Sequence, residues 1–170
     1  VIEKEATRVA GTSTERVGFA APTKPASAAG EVGPLLERAR TMLSAEAERR
    51  GMIIDVTYEP DLPPVLVDPE LLHRVLANLV LNALQVQTRG GWVGLSAVRA
   101  GPGEVVLHVA DRGPGIPEGD LERIFQPFFS RRAGGTGLGL SIVQRIVSAI
   151  GGRIEVASGP KGSDFSLVFP

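Results

Sequence analysis

The order of helical and strand-like patterns constrains the fold of this 170-residue chain more than any other feature. Apolar residues recur at helical spacing in 34–50, 68–87 and 140–150, and alternating or continuous apolar runs lie between these segments. Short glycine-containing turns join the strand runs in pairs, WVGLSAVRA with EVVLHVAD and GRIEVAS with SDFSLVFP. Helices grouped around hairpin-linked strands predict an α+β sandwich rather than a doubly wound parallel fold. A further short helix is predicted in LERIFQPFF, broken before Pro127.

Composition excludes several classes of function. The 18 basic and 19 acidic side chains leave no basic excess to displace counterions from phosphates, so we expect no nucleic-acid partner. Cysteine is absent, which excludes disulfides, thiolate metal sites and cysteine nucleophiles. No apolar run approaches the roughly 18 residues that would cross a bilayer. We therefore expect a cytoplasmic fragment of a longer protein with no direct membrane contact of its own.

The first 33 residues differ in character from the rest. Residues 1–20 carry a weak helical pattern, and 21–33 combine two prolines with small residues and no periodic apolar face. We predict a helical end in 1–20, a linker in 21–33 and one compact domain over 34–170.

The 68–87 helix has an unusual polar face. Arg74, Asn78, Asn82 and Gln85 follow one another at spacings of four, four and three residues. Asparagine is a mediocre helix former, and two of them one turn apart are a poor choice for a purely structural helix. The face is either solvated with incidental amides, or it supplies an amide oxygen to a magnesium ion beside a triphosphate.

The segment DRGPGIP places a carboxylate at a predicted strand end. Asp111 there could accept a hydrogen bond from an exocyclic amine such as that of adenine. Gly113 and Gly115 would let the backbone approach a flat ligand closely. The alternative is an ordinary tight turn, in which Asp, Gly and Pro are common.

A glycine-rich segment, GGTGLGLS at 134–141, leads directly into a predicted helix. Free backbone N–H groups at such a helix start are a usual arrangement for phosphate binding. The spacing fits neither a Walker loop nor G-x-G-x-x-G. Arg131 and Arg132 precede the glycines as either a solvated pair or mobile phosphate donors. His73 is expected at the surface, and His108, in a strand pattern, in a structural role.

Four segments in order closely resemble sequence boxes of one family, the sensor histidine kinases. The N box, first glycine box, F box and second glycine box are matched by NLVLNAL (78–84), DRGPGIP (111–117), FQPFF (125–129) and GGTGLGLSIV (134–143). The resemblance covers about 34–170. It implies the Bergerat ATP-binding fold, a two-layer sandwich with a mixed five-stranded sheet, about three helices on one face and ATP beneath a flexible lid.

The resemblance also implies roles for individual residues. Asn82 is implied as the magnesium ligand, Asn78 as a phosphate-side contact and Asp111 as the adenine-reading carboxylate. Gln85 stands where many relatives carry a lysine, so Arg131 or Arg132 is the expected phosphate contact. The purine pocket, lid and phosphate-facing backbone are implied at Gly113, Gly115, Ile116, Gly135, Thr136, Gly137, Leu138, Gly139, Leu140 and Ser163.

Asn78 bears on the type of reaction. Relatives that activate water or a hydroxyl carry a glutamate at this position, and an amide cannot accept a proton. A neutral histidine is already nucleophilic and needs less help, so transfer to histidine is favoured over hydrolysis. The alternatives are a self-contained ATPase or serine kinase of the same fold, and a nucleotide-sensing module without transfer activity.

The implied partners lie outside the chain. The implied reaction takes the γ-phosphoryl of Mg-ATP to a histidine on a dimerisation domain, for relay to a response-regulator aspartate. Neither His73 nor His108 has the flanking residues of the family's acceptor, so the acceptor is expected upstream of Val1. Residues 1–20 resemble the end of the second dimerisation helix, and the full-length protein is expected to be a homodimer.

Overall fold

A computed structural model of the protein describes residues 28–170. The predicted helix in 1–20 and the first part of the linker lie outside this range. The helices are α1 (Val32–Arg49), α2 (Pro69–Gln85) and α3 (Gly139–Ala149), and none of those described is long and apolar enough to cross a membrane. The strands are β1 (Ala28–Gly30), β2 (Ile53–Tyr58), β3 (Val65–Val67), β4 (Trp92–Gly101), β5 (Glu104–Asp111), β6 (Arg153–Gly159) and β7 (Gly162–Phe169).

Five strands form one mixed sheet in the order β2-β4-β5-β7-β6. β2 runs parallel to β4, and the remaining neighbours are antiparallel. The predicted five-stranded sheet and three helices are confirmed. The hairpins β4–β5 and β6–β7 are the pairs that the glycine turns indicated.

The hydrophobic core lies between the sheet and the helices. α2 contributes the most buried apolar side chains because its apolar stripe is continuous, and its first turn is also capped. Asp68 Oδ1 accepts hydrogen bonds from the backbone N–H groups of Glu70 at 2.9 Å and Leu71 at 3.4 Å. Fully buried residues from the helices and sheet meet in one cluster that includes Leu36, Leu76, Leu79, Val143, Val147, Leu95, Leu107 and Leu167.

Residues 28–33, which the sequence assigned to a linker, are structured. β1 pairs antiparallel with the short strand β3, and α1 begins at Val32. Neither β1 nor β3 was predicted from the sequence. Each has only three residues, too few for a periodic pattern to be read.

The prediction of a helix in LERIFQPFF is wrong, because this segment forms no α-helix. The chain forms a short 3₁₀ turn at Glu118–Asp120 and then further turns, with the N–H of Ile124 bonded to the carbonyl of Asp120 at 3.0 Å. Gly119 and Pro127 leave too short a segment to offset the cost of nucleating an α-helix.

The surface position predicted for His73 is also wrong. The residue is only 7% exposed, and it lies near an ion pair between Arg38 of α1 and Glu70 of α2. The helix–helix contact with α1 covers a position that the sequence placed away from the candidate site.

Candidate nucleotide-binding site

The amino terminus of α3 lies against the two asparagines of α2. A Cβ on Gly139 would lie 3.7 Å from Asn78 Oδ1 and 4.0 Å from Asn82 Nδ2. Asn78 Nδ2 donates to the carbonyl of Arg74 at 3.1 Å. The start of α3 therefore lies close to the side-chain amides of α2, a helix that is distant in sequence, and Gly139 is the residue at the contact.

The first turn of α3 leaves its backbone donors unpaired by any cap among the described residues. The helix has no side-chain cap and no acidic residue in its first turn. Its first internal bond joins the N–H of Ile142 to the carbonyl of Leu138 at 3.0 Å. The N–H groups of Gly139, Leu140 and Ser141 precede that bond, and together with the helix dipole they form an anion-binding end.

Asp111 is the last residue of β5 and is buried, with 8% of its surface exposed. Its Oδ1 accepts a hydrogen bond from the N–H of Gly113 at 2.8 Å. Burial raises the pKa of the carboxyl, and bonds from the backbone of Gly113 and Ser163 only partly oppose that effect. A buried carboxyl with a perturbed pKa at a strand end is a candidate for contact with a ligand.

Two glycines of the site occupy conformations that other residues would strain. Gly115 has φ +77°, and a Cβ there would lie 1.9 Å from the carbonyl oxygen of Gly159. Gly137 has φ +69°, and its Cβ would lie 2.4 Å from the carbonyl carbon of Phe128. The loop after β5 and the end of the lid segment, which we define as residues 130–138, can therefore approach neighbouring backbone only because these residues are glycine.

Serine hydroxyls connect the Asp111 loop to the last hairpin. The N–H of Ile116 donates to Ser158 Oγ at 2.7 Å, and Ser158 Oγ lies 2.8 Å from Ser163 Oγ. Ser163 is buried beside Asp111, to which its backbone N–H is bonded. Ser158, which the sequence did not mark, thus connects Ile116 of the Asp111 loop to Ser163 of the last hairpin.

The segment between the F box and α3 makes two arginine contacts. The guanidinium of Arg132 donates to Gln85 Oε1 on α2. Arg131 Nη2 lies 2.7 Å from Oδ1 of Asp120, a residue buried in the 3₁₀ turn. Arg132 therefore reaches the asparagine-bearing helix, whereas Arg131 ties the segment to the loop after β5.

The remaining predicted residues belong to the turn that closes this segment. The N–H of Gly135 donates to the carbonyl of Arg132 at 3.1 Å, and the N–H of Leu138 to Thr136 Oγ1 at 3.4 Å. Leu140 packs against the core. Sequence reasoning missed three connecting side chains, Gln87, Asp120 and Ser158, because no periodic pattern marks their contacts with other segments.

Fold and site together define an ATP-binding domain of the histidine kinase type. The family model described as "Histidine kinase-, DNA gyrase B-, and HSP90-like ATPase" matches residues 67–170, and the chain belongs to this family. Within it, the chain is a catalytic domain of a sensor histidine kinase, which confirms the family and enzyme class expected from the four boxes.

Curated relatives are sensor kinases of greater length. Sensor histidine kinase ZraS of Escherichia coli (strain K12) is 38% identical over 171 residues, which cover 100% of this chain and 37% of the relative. Sensory histidine kinase/phosphatase NtrB of Vibrio alginolyticus is 30% identical over 161 residues, covering 88% of this chain and 46% of the relative. The chain therefore spans less than half the length of these proteins.

Solved structures give the same fold. Full-length ShkA in complex with AMPPNP has a TM-score of 0.80 at 32% identity, covering 88% of this chain and 32% of that chain. The catalytic domain of histidine kinase ThkA has a TM-score of 0.77 at 28% identity, covering 85% of this chain and 95% of that chain.

Proposed function

We propose that this chain binds Mg-ATP and transfers its γ-phosphoryl group to a histidine on an upstream dimerisation domain, for relay to a response-regulator aspartate. The observation that carries the proposal is the uncapped amino terminus of α3 facing Asn78 and Asn82. The AMPPNP held by ShkA supports ATP as the nucleotide, and the complex of ThkA with the response regulator TrrA supports the relay. We also propose that the full-length protein is a cytoplasmic homodimer that has no nucleic-acid partner.

The base end of the site selects adenine in this proposal. Asp111 accepts a hydrogen bond from the exocyclic amine of adenine, and it would repel the carbonyl oxygen that guanine presents at the same place. The backbone of Gly113 and Gly115 and the side chain of Ile116 border the flat base. Ser163 supports the carboxylate from β7 through its backbone N–H.

The phosphate end fits magnesium held mainly by the nucleotide. The described residues contain no cluster of three or more His, Asp or Glu side chains that could hold the ion alone. Magnesium commonly keeps waters and phosphate oxygens as ligands and needs few protein oxygens. Asn82 would supply one amide oxygen. The ion would neutralise charge on the β- and γ-phosphates, and the free N–H groups of α3 would bind the remaining oxygens.

Arg132 is the arginine that we assign to the terminal phosphate. Its present partner, Gln85, lies one turn beyond Asn82 on the same helix. Arg131 instead holds the lid segment to Asp120. The lysine that many relatives carry at the position of Gln85 is thereby replaced by a cation from the lid.

The fate of the γ-phosphoryl group tests this proposal. The chain is mixed with the dimerisation domain of the same protein and with ATP labelled in the γ-phosphate. We expect an acid-labile, base-stable phosphohistidine on the added domain, and little free phosphate from the chain alone, because Asn78 cannot act as a base.

Three variants control the experiment. Asn82→Ala and Asp111→Asn should both abolish most of the transfer, while Gln144→Ala, on the exposed side of α3, should leave it unchanged. Steady phosphate release by the chain alone would instead support a self-contained ATPase. ATP binding without any transfer would support a nucleotide-sensing module.

A further inference from the structure

The side-chain amide of Gln87, two residues beyond α2, makes four hydrogen bonds. Its Nε2 donates to the carbonyl of Ala83 at 2.8 Å and to that of Trp92 at 3.0 Å. Its Oε1 accepts from the N–H groups of Trp92 at 3.0 Å and Arg112 at 3.2 Å. A glutamine amide has two donor and two acceptor positions, so every hydrogen-bonding position of the Gln87 side chain is occupied.

These bonds join α2 to the ends of two strands. The register of β4 and β5 ends at the pair Val93↔Asp111, and Gln87 Oε1 accepts from the backbone N–H groups of the two residues just past that pair, Trp92 and Arg112. The amide of Gln87 therefore continues the ladder by one step, immediately beside Asp111. Its bond to Ala83 attaches that end of the hairpin to the last turns of the helix.

The neighbouring residues leave room for this amide. A Cβ on Gly91 would lie 2.8 Å from Gln87 Oε1, and a Cβ on Gly113 would lie 3.4 Å from Gln87 Cγ. Only a residue without a side chain fits at Gly91 while the amide keeps its position. Arg112 also places its guanidinium 4.4 Å from the centre of the Trp92 ring, so the two residues whose backbones Gln87 joins also contact each other through their side chains.

We propose that Gln87 is a positioning residue for nucleotide selection, which fixes Asp111 relative to α2 and so sets the preference for adenine over guanine. The inference rests on the proposed function, in which Asp111 reads the base and α2 holds the phosphate-side amides. A base and a triphosphate are parts of one rigidly connected ligand, so the site must hold its two ends at a fixed separation. Gln87 hydrogen-bonds to the backbone of both ends.

The test compares the affinities of wild type and Gln87→Met for ATP and GTP. Methionine keeps the length of the side chain and removes the hydrogen bonds. We expect the Kd for ATP to rise about fivefold to tenfold, because Gln87 acts on the nucleotide only through Asp111 and most of the cost of its four lost bonds falls on the fold itself. The ratio of the GTP and ATP constants should shrink by a similar factor, and the stimulation of binding by magnesium should stay unchanged. Gln144→Ala serves as the matched glutamine control.

Gln87→Glu tests the two bonds that Oε1 accepts separately from the two that Nε2 donates. It keeps oxygens for the N–H groups of Trp92 and Arg112 but sets a carboxylate against two carbonyls. We expect an intermediate adenine preference. If Gln87→Met does not fold, Gly91→Ala makes the same test, because its methyl group would displace the amide of Gln87.

Tryptophan fluorescence supplies a second readout. Trp92 is the only tryptophan of the chain and is bonded to Gln87 through its backbone. The emission of Gln87→Met should shift relative to wild type, while that of Gln144→Ala should not. Wild type that binds ATP with no preference over GTP would refute the proposed reading of the base by Asp111. Wild type that prefers ATP, with Gln87→Met retaining that preference and affinity within about twofold, would overturn the role of Gln87 alone.

Discussion

At the scale of single residues, Asp111 is a site residue that lowers the stability of the folded protein. Its carboxyl is buried at the end of β5, and burial raises its pKa above the ordinary value. Ionising it in the folded protein therefore costs more than ionising it in the unfolded chain. Such a residue weakens the nucleotide-free fold at neutral pH, while its carboxylate is the group that we propose reads adenine.

Asp111→Asn should accordingly stabilise the nucleotide-free protein. With a raised folded-state pKa, the stability associated with the neutral carboxyl is complete below the unfolded value of about 3.9 and is lost as the pH rises through the folded value. The variant should thus match wild type in acid and exceed it increasingly toward neutral pH. Urea unfolding across this range measures the difference, and a difference that is independent of pH would contradict the assignment.

His73 is a second buried titratable residue. Neither ring nitrogen has a hydrogen-bond partner within the part of the chain that the structure describes. Desolvation lowers its pKa, Arg38 lowers it further and Glu70 opposes them. The stability contributed by the neutral ring is therefore present above about pH 6.5 and is lost as the pH falls through the folded-state pKa.

His73→Leu should raise the free energy of unfolding by about 1 kcal/mol at neutral pH, because it removes an unpaired buried polar group. The gain should grow in acid. His108→Leu is the matched control, since His108 Nδ1 lies 3.0 Å from Asp164 Oδ2 and 3.1 Å from Ser166 Oγ and its loss should cost stability. Chemical unfolding at two pH values measures both variants, and a destabilised His73→Leu protein would refute the prediction.

At the scale of single elements, the sequence predicted the helices and strands whose signals come from residues close together in the chain. α2 was found from its apolar stripe and its Asp-Pro start, and α3 from its apolar stripe and the glycines that follow it, because these features lie within or next to each segment. The turns after Glu118 were misassigned because LERIF has a helical pattern that is shorter than a stable helix. The bonds of Gln87, Ser158 and Arg131 could not be predicted, since each partner comes from a different element and no periodic pattern marks it.

The cap of α2 gives a prediction for a single element. Asp68→Ala removes the oxygen that accepts from Glu70 and Leu71 and should lower the free energy of unfolding by about 1 kcal/mol. Asp68→Asn should recover most of that loss, because asparagine is an equally good cap. The preference for ATP over GTP should be the same in both variants. Equal stability of Asp68→Ala and wild type in urea would show that the cap contributes nothing.

The lid segment gives a second prediction at this scale. Arg132→Ala should raise the Kd for Mg-ATP by roughly tenfold, as expected for the loss of a hydrogen bond to a charged group. Arg131→Ala should change it by less than about twofold, because Arg131 is bound to Asp120. Calorimetric titration compares the two. The reverse order of effects would assign the phosphate contact to Arg131.

In the whole molecule, the proposed ligand contacts come from four separate parts of the fold. The sheet supplies Asp111, α2 supplies the asparagines, α3 supplies free backbone donors and the lid segment supplies Arg132. None of these elements could bind a nucleotide alone, so their packing through the common core is what creates the site. The same arrangement places Asn78 where hydrolysis would need a base. Because an amide cannot accept a proton, we expect the phosphoryl group to be transferred to a histidine of another domain and not to water.

The most direct test is calorimetric titration of ATP into this chain with and without magnesium, for wild type, Asp111→Asn and Asn82→Ala. We predict that wild type binds ATP more tightly with magnesium and that Asp111→Asn binds roughly tenfold to a hundredfold more weakly in both conditions. Asn82→Ala should lose the magnesium effect while keeping the weaker, metal-free binding. A folded wild type that does not bind ATP, or binding indifferent to both substitutions, would contradict the account.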